Sequence, residues 1–230
     1  MSFELKYAPR QLSDVVHPST AARAKVASIV SGNGKRSALF YGTYGTGKSV
    51  LCRLLAEHVW GLTNVPLVRV FDADAYDELG TDIAEAIKCE VSHQLTRTDV
   101  NITCPAIILD ELDQCEHQPL ITALYNKWQK ENWQWYAATN HIKKIDSALA
   151  SRLSAVHYDF ESTDAFAPRV HQICANELGA LPELDLPKIQ ALLKRIVNPN
   201  DPKLGWRRVL EAAAQIVDYK NGVITDFYLV

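Results

Sequence analysis

Short apolar runs alternate with longer amphipathic segments through the first two thirds of the chain. The runs are bounded by Gly, Asp, Pro or Asn, which is typical of strands buried on both faces of a parallel sheet. They predict strands at Ala38–Tyr41, Leu67–Phe71, Ala106–Leu109, Trp135–Thr139 and Ala155–Phe160. The segments around and between them predict helices at Ser19–Ile29, Lys48–Val59, Asp82–Leu95 and Leu120–Lys130. Because strands that alternate with helices form βαβ units, the sequence predicts an α/β fold with a parallel sheet.

The pattern changes after about Ser162, where helical periodicity continues and strand-like runs stop. We predict helices at Asp164–Leu178, Leu186–Val197 and Leu204–Tyr219, with a turn at Pro199–Pro202 between the last two. The chain is therefore expected to form two domains: an α/β core over residues 1–162 and a small all-helical domain over residues 163–230.

Composition narrows the class of protein. The chain has 230 residues, of which 47% are hydrophobic and 22% charged, so it is neither disordered nor of low complexity. It has no apolar run of the roughly 18 residues that a membrane helix needs, and its N-terminus does not resemble a secretory signal. The five cysteines are scattered, without a CxxC pair, which indicates reduced thiols. We expect a cytoplasmic protein that does not associate with membranes.

The motif that carries chemistry runs from residue 42 to residue 49 and fits GxxxxGK[ST], between a predicted strand and a predicted helix. Glycines at these positions let backbone N–H groups surround phosphate oxygens at the N-terminus of the helix. Lys48 would reach the β- and γ-phosphates of ATP, and Ser49 would hold Mg²⁺. The predicted ATP contacts are Gly42, Thr43, Tyr44, Gly45, Thr46, Gly47, Lys48, Ser49 and Val50. The alternative is a glycine-rich turn that binds no ligand.

A second motif places two carboxylates, Asp110 and Glu111, directly after the apolar run Ile107–Leu109. The carboxyl end of a parallel strand is where α/β folds bind ligands. We expect Asp110 to order Mg²⁺ through its water shell and Glu111 to polarise the attacking water. The alternative is a strand that simply ends at an acidic loop.

With these motifs in place, the chain resembles the AAA+ ATPases, and within them the clamp-loader small subunits (replication factor C-like). Further segments carry the resemblance: Leu5–Pro9 with Asp14–Val16, Asp110–Asp113, Ala138–Asn140, Ser151–Leu153 and Gly205–Arg208. The resemblance implies a P-loop core followed by a helical lid, with ATP bound between them. It also implies that Tyr7 and Val16 lie beside the adenine.

The resemblance assigns roles to three further polar residues. Asn140 would lie near the γ-phosphate as sensor 1, and Arg152 would act in trans as an arginine finger on a neighbouring subunit's ATP. Arg207 would contact the γ-phosphate from the lid, with Arg208 as the alternate. The ordinary alternatives are a strand-end turn residue for Asn140, a helix-capping arginine for Arg152, and the polar face of a helix for the last two.

Three departures from the family's pattern are relevant to function. Asp72 stands where the family has an Asn that is proposed to hold the catalytic Glu inactive until DNA binds. Glu78–Asp82 is acidic where the family has a basic segment near DNA, which weakens the case for DNA. The chain also stops at Val230, and we expect it to lack the family's C-terminal helical collar.

These features favour an ATP-hydrolysing, Mg²⁺-dependent protein that works as a homo-oligomer or as a subunit of a ring-like assembly. The leading hypothesis is a clamp-loader- or helicase-loader-like ATPase of DNA replication, with DNA as one candidate partner. The net charge of −3 favours instead an ATP-driven protein remodeller acting on a protein partner. In that class Tyr76 would be a candidate pore-loop aromatic, although its neighbours do not fit the pattern. Asp72 favours a third hypothesis, an ATP-dependent assembly switch with little turnover.

Overall fold

The computed structural model describes residues 3–32, 36–59, 69–96, 104–128, 133–179, 184–198 and 204–228. By their contacts the residues separate into two compact units. We call residues 21–42 and 48–157 the sheet unit, and residues 1–20, 43–47 and 158–230 the helical unit. The helical unit thus includes the N-terminal segment and the middle of the glycine-rich loop. The domain boundary at residue 162 stays a prediction.

The described strands of the sheet unit form one five-stranded sheet in which every pairing is parallel. The strands are β1 (Ala38–Tyr41), β2 (Val70–Phe71), β3 (Ala106–Leu109), β4 (Gln134–Thr139) and β5 (Ser154–His157), in the spatial order β2-β3-β4-β1-β5. The predicted α/β class with a parallel sheet is confirmed. The central strands β3 and β4 are buried at every position, as the fully apolar run of β3 predicts; in β4 the burial extends to the polar Gln134 and Thr139.

Helices flank these strands along the chain of the sheet unit. They are α2 (Thr20–Ser31), α3 (Lys48–Val59), α4 (Ala73–Leu79), α5 (Ile83–Thr96), α6 (Gln118–Trp128) and α7 (Ser147–Arg152). The sequence pattern missed α4 and α7, because helices of seven and six residues are too short to show a periodicity. Each has an aspartate cap: Asp72 accepts from the amide of Ala75 at 3.1 Å, and Asp146 from that of Leu149 at 2.9 Å.

Aromatic side chains contribute much of the core of the sheet unit. Trp135 and Tyr136 on β4 are 1% and 0% exposed, and Trp133 just before them is also buried. The rings of Trp133 and Trp135 stack with their centroids 6.4 Å apart. These aromatics therefore pack the sheet.

The helical unit contains α1 (Phe3–Tyr7), α8 (Ala167–Leu178), α9 (Leu186–Ile196) and α10 (Trp206–Lys220). A 3-10 helix at Thr163–Phe166 precedes α8, so α8 begins three residues later than predicted. The predicted turn at Pro199–Pro202 lies outside the described residues. The apolar faces of α8, α9 and α10 bury one core, which also takes in Tyr7 and Phe160, and the predicted all-helical C-terminal portion is confirmed. In the described ranges, no helix has the length and apolar character that crossing a bilayer requires.

Candidate nucleotide-binding site

The glycine-rich loop leaves β1 and ends where α3 begins at Lys48. Its Gly45 and Gly47 have φ values of +75° and +95°, a backbone conformation that costs any residue with a Cβ atom. The side chain of Lys48 is buried, and its Nζ donates to the carbonyl of Gly42 at 3.0 Å. The loop is thus folded around its own lysine, with the N-terminus of a twelve-residue helix directly after it.

Ser49 and Asp110 meet at the carboxyl edge of the sheet. The Ser49 hydroxyl donates to Asp110 Oδ1 at 3.0 Å. Asp110 is held by its own backbone, because its N–H donates to the carbonyl of Phe71 at 2.8 Å where β2 and β3 pair. The structure therefore joins the serine of the glycine-rich motif to the first carboxylate of the acidic motif, although 61 residues separate them in sequence.

Glu111 has an unusual backbone. It is the one non-glycine residue with positive φ in the described part of the chain, at φ 47° and ψ 40°. A left-handed glutamate is uncommon, and such residues are frequent at functional sites. Partial burial raises the pKa of its carboxyl group, and the neighbouring charges of Asp110 and Asp113 raise it further. The carboxylate is thus a stronger base than an ordinary surface glutamate.

Asp113 ties the acidic turn to the end of β4. Its Oδ1 accepts from the Thr139 hydroxyl at 2.6 Å and from the backbone N–H of Asn140 at 3.2 Å. Asp113 is itself only 8% exposed, so this pairing is shielded from water. In the sequence Asp113 is only the last residue of the acidic motif Asp110–Asp113. Its contact with the end of β4 joins residues 26 positions apart, so the sequence pattern did not predict it.

Asp72 and Tyr76 lie on the other side of the acidic turn. The Asp72 carboxylate caps α4 and adds its negative charge to those that raise the pKa of Glu111. Tyr76 is 4% exposed and belongs to the core of the sheet unit. A buried ring cannot serve as an exposed pore-loop aromatic, so the structure does not support that alternative for Tyr76.

Arg152, at the end of α7, makes its described contacts within the sheet unit. Its guanidinium donates to the side-chain oxygen of Asn126 on α6 and to the carbonyl of Ala148. This is the helix-capping arrangement that the sequence left open as an alternative. The structure does not bring Arg152 into the hydrogen-bonded group formed by Ser49 and Asp110, and its role in trans stays a prediction.

In the helical unit, Tyr7 and Val16 both line the hydrophobic core. The Tyr7 hydroxyl donates to Glu177, which also pairs with Lys6, and its ring lies 5.0 Å from that of Phe3. The carbonyl of Val16 accepts from Tyr158 Oη at 3.4 Å. The two predicted adenine neighbours are therefore held by packing and hydrogen bonds within the helical unit.

Two contacts of the helical unit hold the middle of the glycine-rich loop. Asp159 accepts from both the N–H and the hydroxyl of Thr43, the latter at 2.9 Å. Gly205, which precedes α10, lies so close to Gly45 that a Cβ atom built on Gly205 would be 2.6 Å from the Gly45 carbonyl oxygen. Sequence reasoning missed Asp159, because no motif letter marks it.

The two candidate lid arginines differ in their distance from the glycine-rich loop. Arg207 Cβ lies 3.9 Å from the position that a Cβ on Gly45 would take, so Arg207 adjoins the loop. Its exposed guanidinium is 3.7 Å from Glu4. Arg208 instead pairs with Glu211 one turn further along α10, at 3.2 Å. The geometry favours Arg207 over Arg208 as the residue that faces the phosphate loop.

Comparisons with known proteins show the family to which the chain belongs. Residues 38–160 match the ATPase family associated with various cellular activities (AAA). Replication factor C subunit 4 of Arabidopsis thaliana is 27% identical over 180 residues, which cover 75% of this chain and 52% of that protein. The chain spans about half the length of the relatives it matches.

Solved structures share the fold. Domain III of the Thermotoga maritima replication initiation protein DnaA superposes with a TM-score of 0.57 at 17% identity, covering 91% of this chain and 87% of that one. The replication initiator DnaA bound to AMPPCP and single-stranded DNA gives a TM-score of 0.58 at 14% identity, covering 94% of this chain and 66% of that one. With more than half of its residues in the family match, this chain belongs to the AAA family of ATPases.

Proposed function

We propose that this chain binds ATP together with Mg²⁺ and hydrolyses it. The observation that carries the proposal is the 3.0 Å hydrogen bond between Ser49 and Asp110. That bond joins the end of a phosphate-binding loop to an acidic strand end, which is the pairing of parts that P-loop ATPases use. Membership of the AAA family supports the same chemistry.

The residues present fit a magnesium ion. Mg²⁺ prefers oxygen ligands and keeps several waters, and the Ser49 hydroxyl and the Asp110 carboxylate supply oxygens on adjoining elements. Asp110 Oδ1 also accepts from the Glu111 N–H at 3.0 Å, so the carboxylate is oriented in advance. When bound, Mg²⁺ would offset negative charge on the phosphate oxygens.

The chain's own residues divide the remaining work. Lys48 would exchange its bond to the Gly42 carbonyl for the β- and γ-phosphates. Glu111 would accept a hydrogen bond from the water that attacks the γ-phosphorus in line, and its raised pKa makes it a stronger proton acceptor. Asn140 would position that water, since Asp113 fixes its backbone. Such positioning accounts for most of the catalysis in phosphoryl transfer.

Residues of the helical unit would bind other parts of the nucleotide. Tyr7 and Val16 would flank the adenine, Arg207 would contact the γ-phosphate, and loop residues 43–47 would surround the phosphates with Val50 following on α3. The approach of Gly205 to Gly45 supports a role for the start of α10 at the loop.

Assembly is the next part of the proposal. Arg152 would leave Asn126 and Ala148 to contact the ATP of a neighbouring subunit, either a second copy of this chain or another subunit of a ring-like assembly. An arginine supplied in trans can raise the rate by on the order of a thousandfold or more. The turnover per chain should therefore rise with protein concentration.

We further propose that the ATP cycle serves DNA replication, as in a clamp loader or helicase loader. Sequence relatives named as replication factor C subunits support this role, as does the resemblance of the motifs. A second candidate is an assembly switch that binds ATP with little turnover. One observation favours it: the Asp72 carboxylate caps α4 and cannot donate the hydrogen bond that an Asn would.

The test is the ATPase rate as a function of protein concentration, with and without primed DNA. Stimulation by DNA would support the replication role, and a concentration-dependent rate that DNA does not change would indicate a protein remodeller. Tight binding of ATP with negligible turnover at every concentration would indicate the assembly switch. The Lys48→Ala variant, purified identically, controls for contaminating ATPases. Failure of the wild type to bind ATP would refute the whole proposal.

A further inference from the structure

Tyr158 and Asp159 are the first two residues after β5, at the point where the chain enters the helical unit. They follow directly on a strand, in which successive side chains point to opposite sides. Tyr158 contacts the N-terminal segment and Asp159 contacts the glycine-rich loop. Two adjacent residues therefore reach both of the segments in this unit to which the proposed function assigns a part of the nucleotide.

Asp159 holds the second residue of the glycine-rich loop. Its Oδ1 accepts from both the N–H and the hydroxyl of Thr43, the latter at 2.9 Å. The Thr43 carbonyl in turn accepts from the Thr46 hydroxyl at 3.1 Å, and Thr46 is only 3% exposed. A chain of hydrogen bonds thus runs from the carboxylate into the part of the loop that leads to Lys48.

The negative charge of Asp159 is unfavourable for the proposed ligand. A carboxylate that contacts a phosphate-binding loop repels anionic phosphates. Hydrogen bonds to an ionised acceptor are, however, about twice as strong as those between neutral groups. The carboxylate is therefore suited to fixing the loop and not to contacting the nucleotide.

Tyr158 holds the N-terminal segment at a residue predicted to lie beside the adenine. Its Oη lies 2.9 Å from His17 Nδ1 and donates to the Val16 carbonyl at 3.4 Å. Tyr158 is fully buried, and its ring meets that of His17 edge-on with the centroids 6.1 Å apart. The backbone of Val16 is thus fixed by a buried aromatic side chain 142 positions away in sequence.

We propose that Tyr158 and Asp159 together set the separation between the adenine-binding segment and the phosphate-binding loop. The inference rests on the proposed ATP binding and adds to it two residues that no motif marks. Because the Cα atoms of adjacent residues stay about 3.8 Å apart, the two segments that they hold cannot shift independently. Both act through other residues and not on the nucleotide, so they are positioning residues.

The test is displacement of a fluorescent ATP analogue by Mg²⁺–ATP and, separately, by inorganic tripolyphosphate. Asp159→Ala releases the phosphate-binding loop, so the Kd values of both competitors should rise by the same factor, about ten-fold. Asp159→Asn keeps an acceptor oxygen and should bring both Kd values to within about three-fold of the wild type. Tyr158→Phe acts on the adenine side alone, so the Kd for ATP should rise about five-fold while that for tripolyphosphate stays unchanged.

Two control variants account for a general loss of stability. Asp185→Ala removes an aspartate of the same unit that caps α9 by accepting from the Lys188 N–H at 3.0 Å. Tyr136→Phe removes a buried hydroxyl that donates to Gln134 within the sheet. Both variants should lower the thermal unfolding midpoint and leave both Kd values unchanged.

An Asp159→Ala variant that binds either competitor as tightly as the wild type would overturn the inference. A Tyr158→Phe variant that loses affinity for tripolyphosphate as well as for ATP would also contradict it. The same holds if tripolyphosphate does not displace the analogue from the wild type, because the loop would then not bind phosphates by itself. In each of these cases the wild type still binds ATP, whereas a wild type that does not bind ATP would overturn the proposed function, and this inference with it.

Discussion

The close approach of Gly205 to Gly45 makes a quantitative prediction for Gly205→Ala. The added Cβ would lie 2.6 Å from the Gly45 carbonyl oxygen, 2.7 Å from its carbonyl carbon and 3.0 Å from the Thr46 nitrogen. All three are backbone atoms, so no side chain can rotate away. The shortest contact is about 0.8 Å below the 3.4 Å at which ordinary van der Waals contact begins. Gly205 itself has an extended φ of −168°, so the clash and not backbone strain sets the cost.

Either the loop or the start of α10 must move to relieve this clash. Overpacking of this kind costs about 1–3 kcal/mol. If the loop yields, that energy is lost from the conformation that binds phosphate, and the Kd for ATP should rise roughly 5- to 150-fold. The assays are titration with a fluorescent ATP analogue and thermal unfolding of the same samples.

Gly222→Ala is the matched control for Gly205→Ala. Gly222 has φ +71° and no atom within 4 Å of an added Cβ, so its replacement should cost about 1 kcal/mol of backbone strain and leave the affinity for ATP unchanged. A Gly205→Ala variant that binds ATP as tightly as the wild type would refute the inferred role of this approach in holding the loop.

Three other predictions follow from single contacts. Glu177→Gln should lower the unfolding midpoint at pH 7: hydrogen bonds from Lys6 and Tyr7 lower the pKa of Glu177 below 4.5, so its stabilisation is present above 4.5 and is lost as the pH falls through the lowered pKa, where the two proteins should converge. Asp113→Ala should lower the free energy of unfolding by about 1–3 kcal/mol and also reduce kcat, because it removes the hydrogen bonds to Thr139 and Asn140 at the end of β4. Loss of stability with unchanged kcat would limit Asp113 to a structural role. Arg152→Ala should leave the ATP Kd of the isolated chain unchanged and remove the rise of specific activity with concentration, and a rise that persists would exclude the trans role.

The sequence predicted the parts of the fold that depend on local pattern. Buried strands are visible in the sequence as apolar runs. The loop from Gly42 to Ser49 is visible as a motif, because phosphate binding requires glycines and a lysine at this spacing. The same reasoning could not find the bond from Asp113 to Thr139, or that from Asp159 to Thr43, since each joins residues far apart in sequence. The burial of Tyr76 was equally hidden, because it depends on how α4 packs on the acidic turn.

Short elements limited the prediction in a different way. β2 has two residues, Val70–Phe71, against the five predicted, and the first two of those lie outside the described residues. β5 ends at His157 and not at Phe160, because Phe160 belongs to the core of the helical unit and the Tyr158 hydroxyl contacts Val16 and His17 of the same unit. An apolar run alone does not distinguish a strand from a segment that leaves the sheet to fill another core.

The most direct test of the central claim is ATP binding and phosphate release measured on the wild type and on Glu111→Gln. The substitution keeps the size of the side chain and removes its ability to accept a proton. We predict that both proteins bind Mg²⁺–ATP with the same Kd, and that only the wild type releases phosphate. Phosphate release by Glu111→Gln at the wild-type rate would contradict the account.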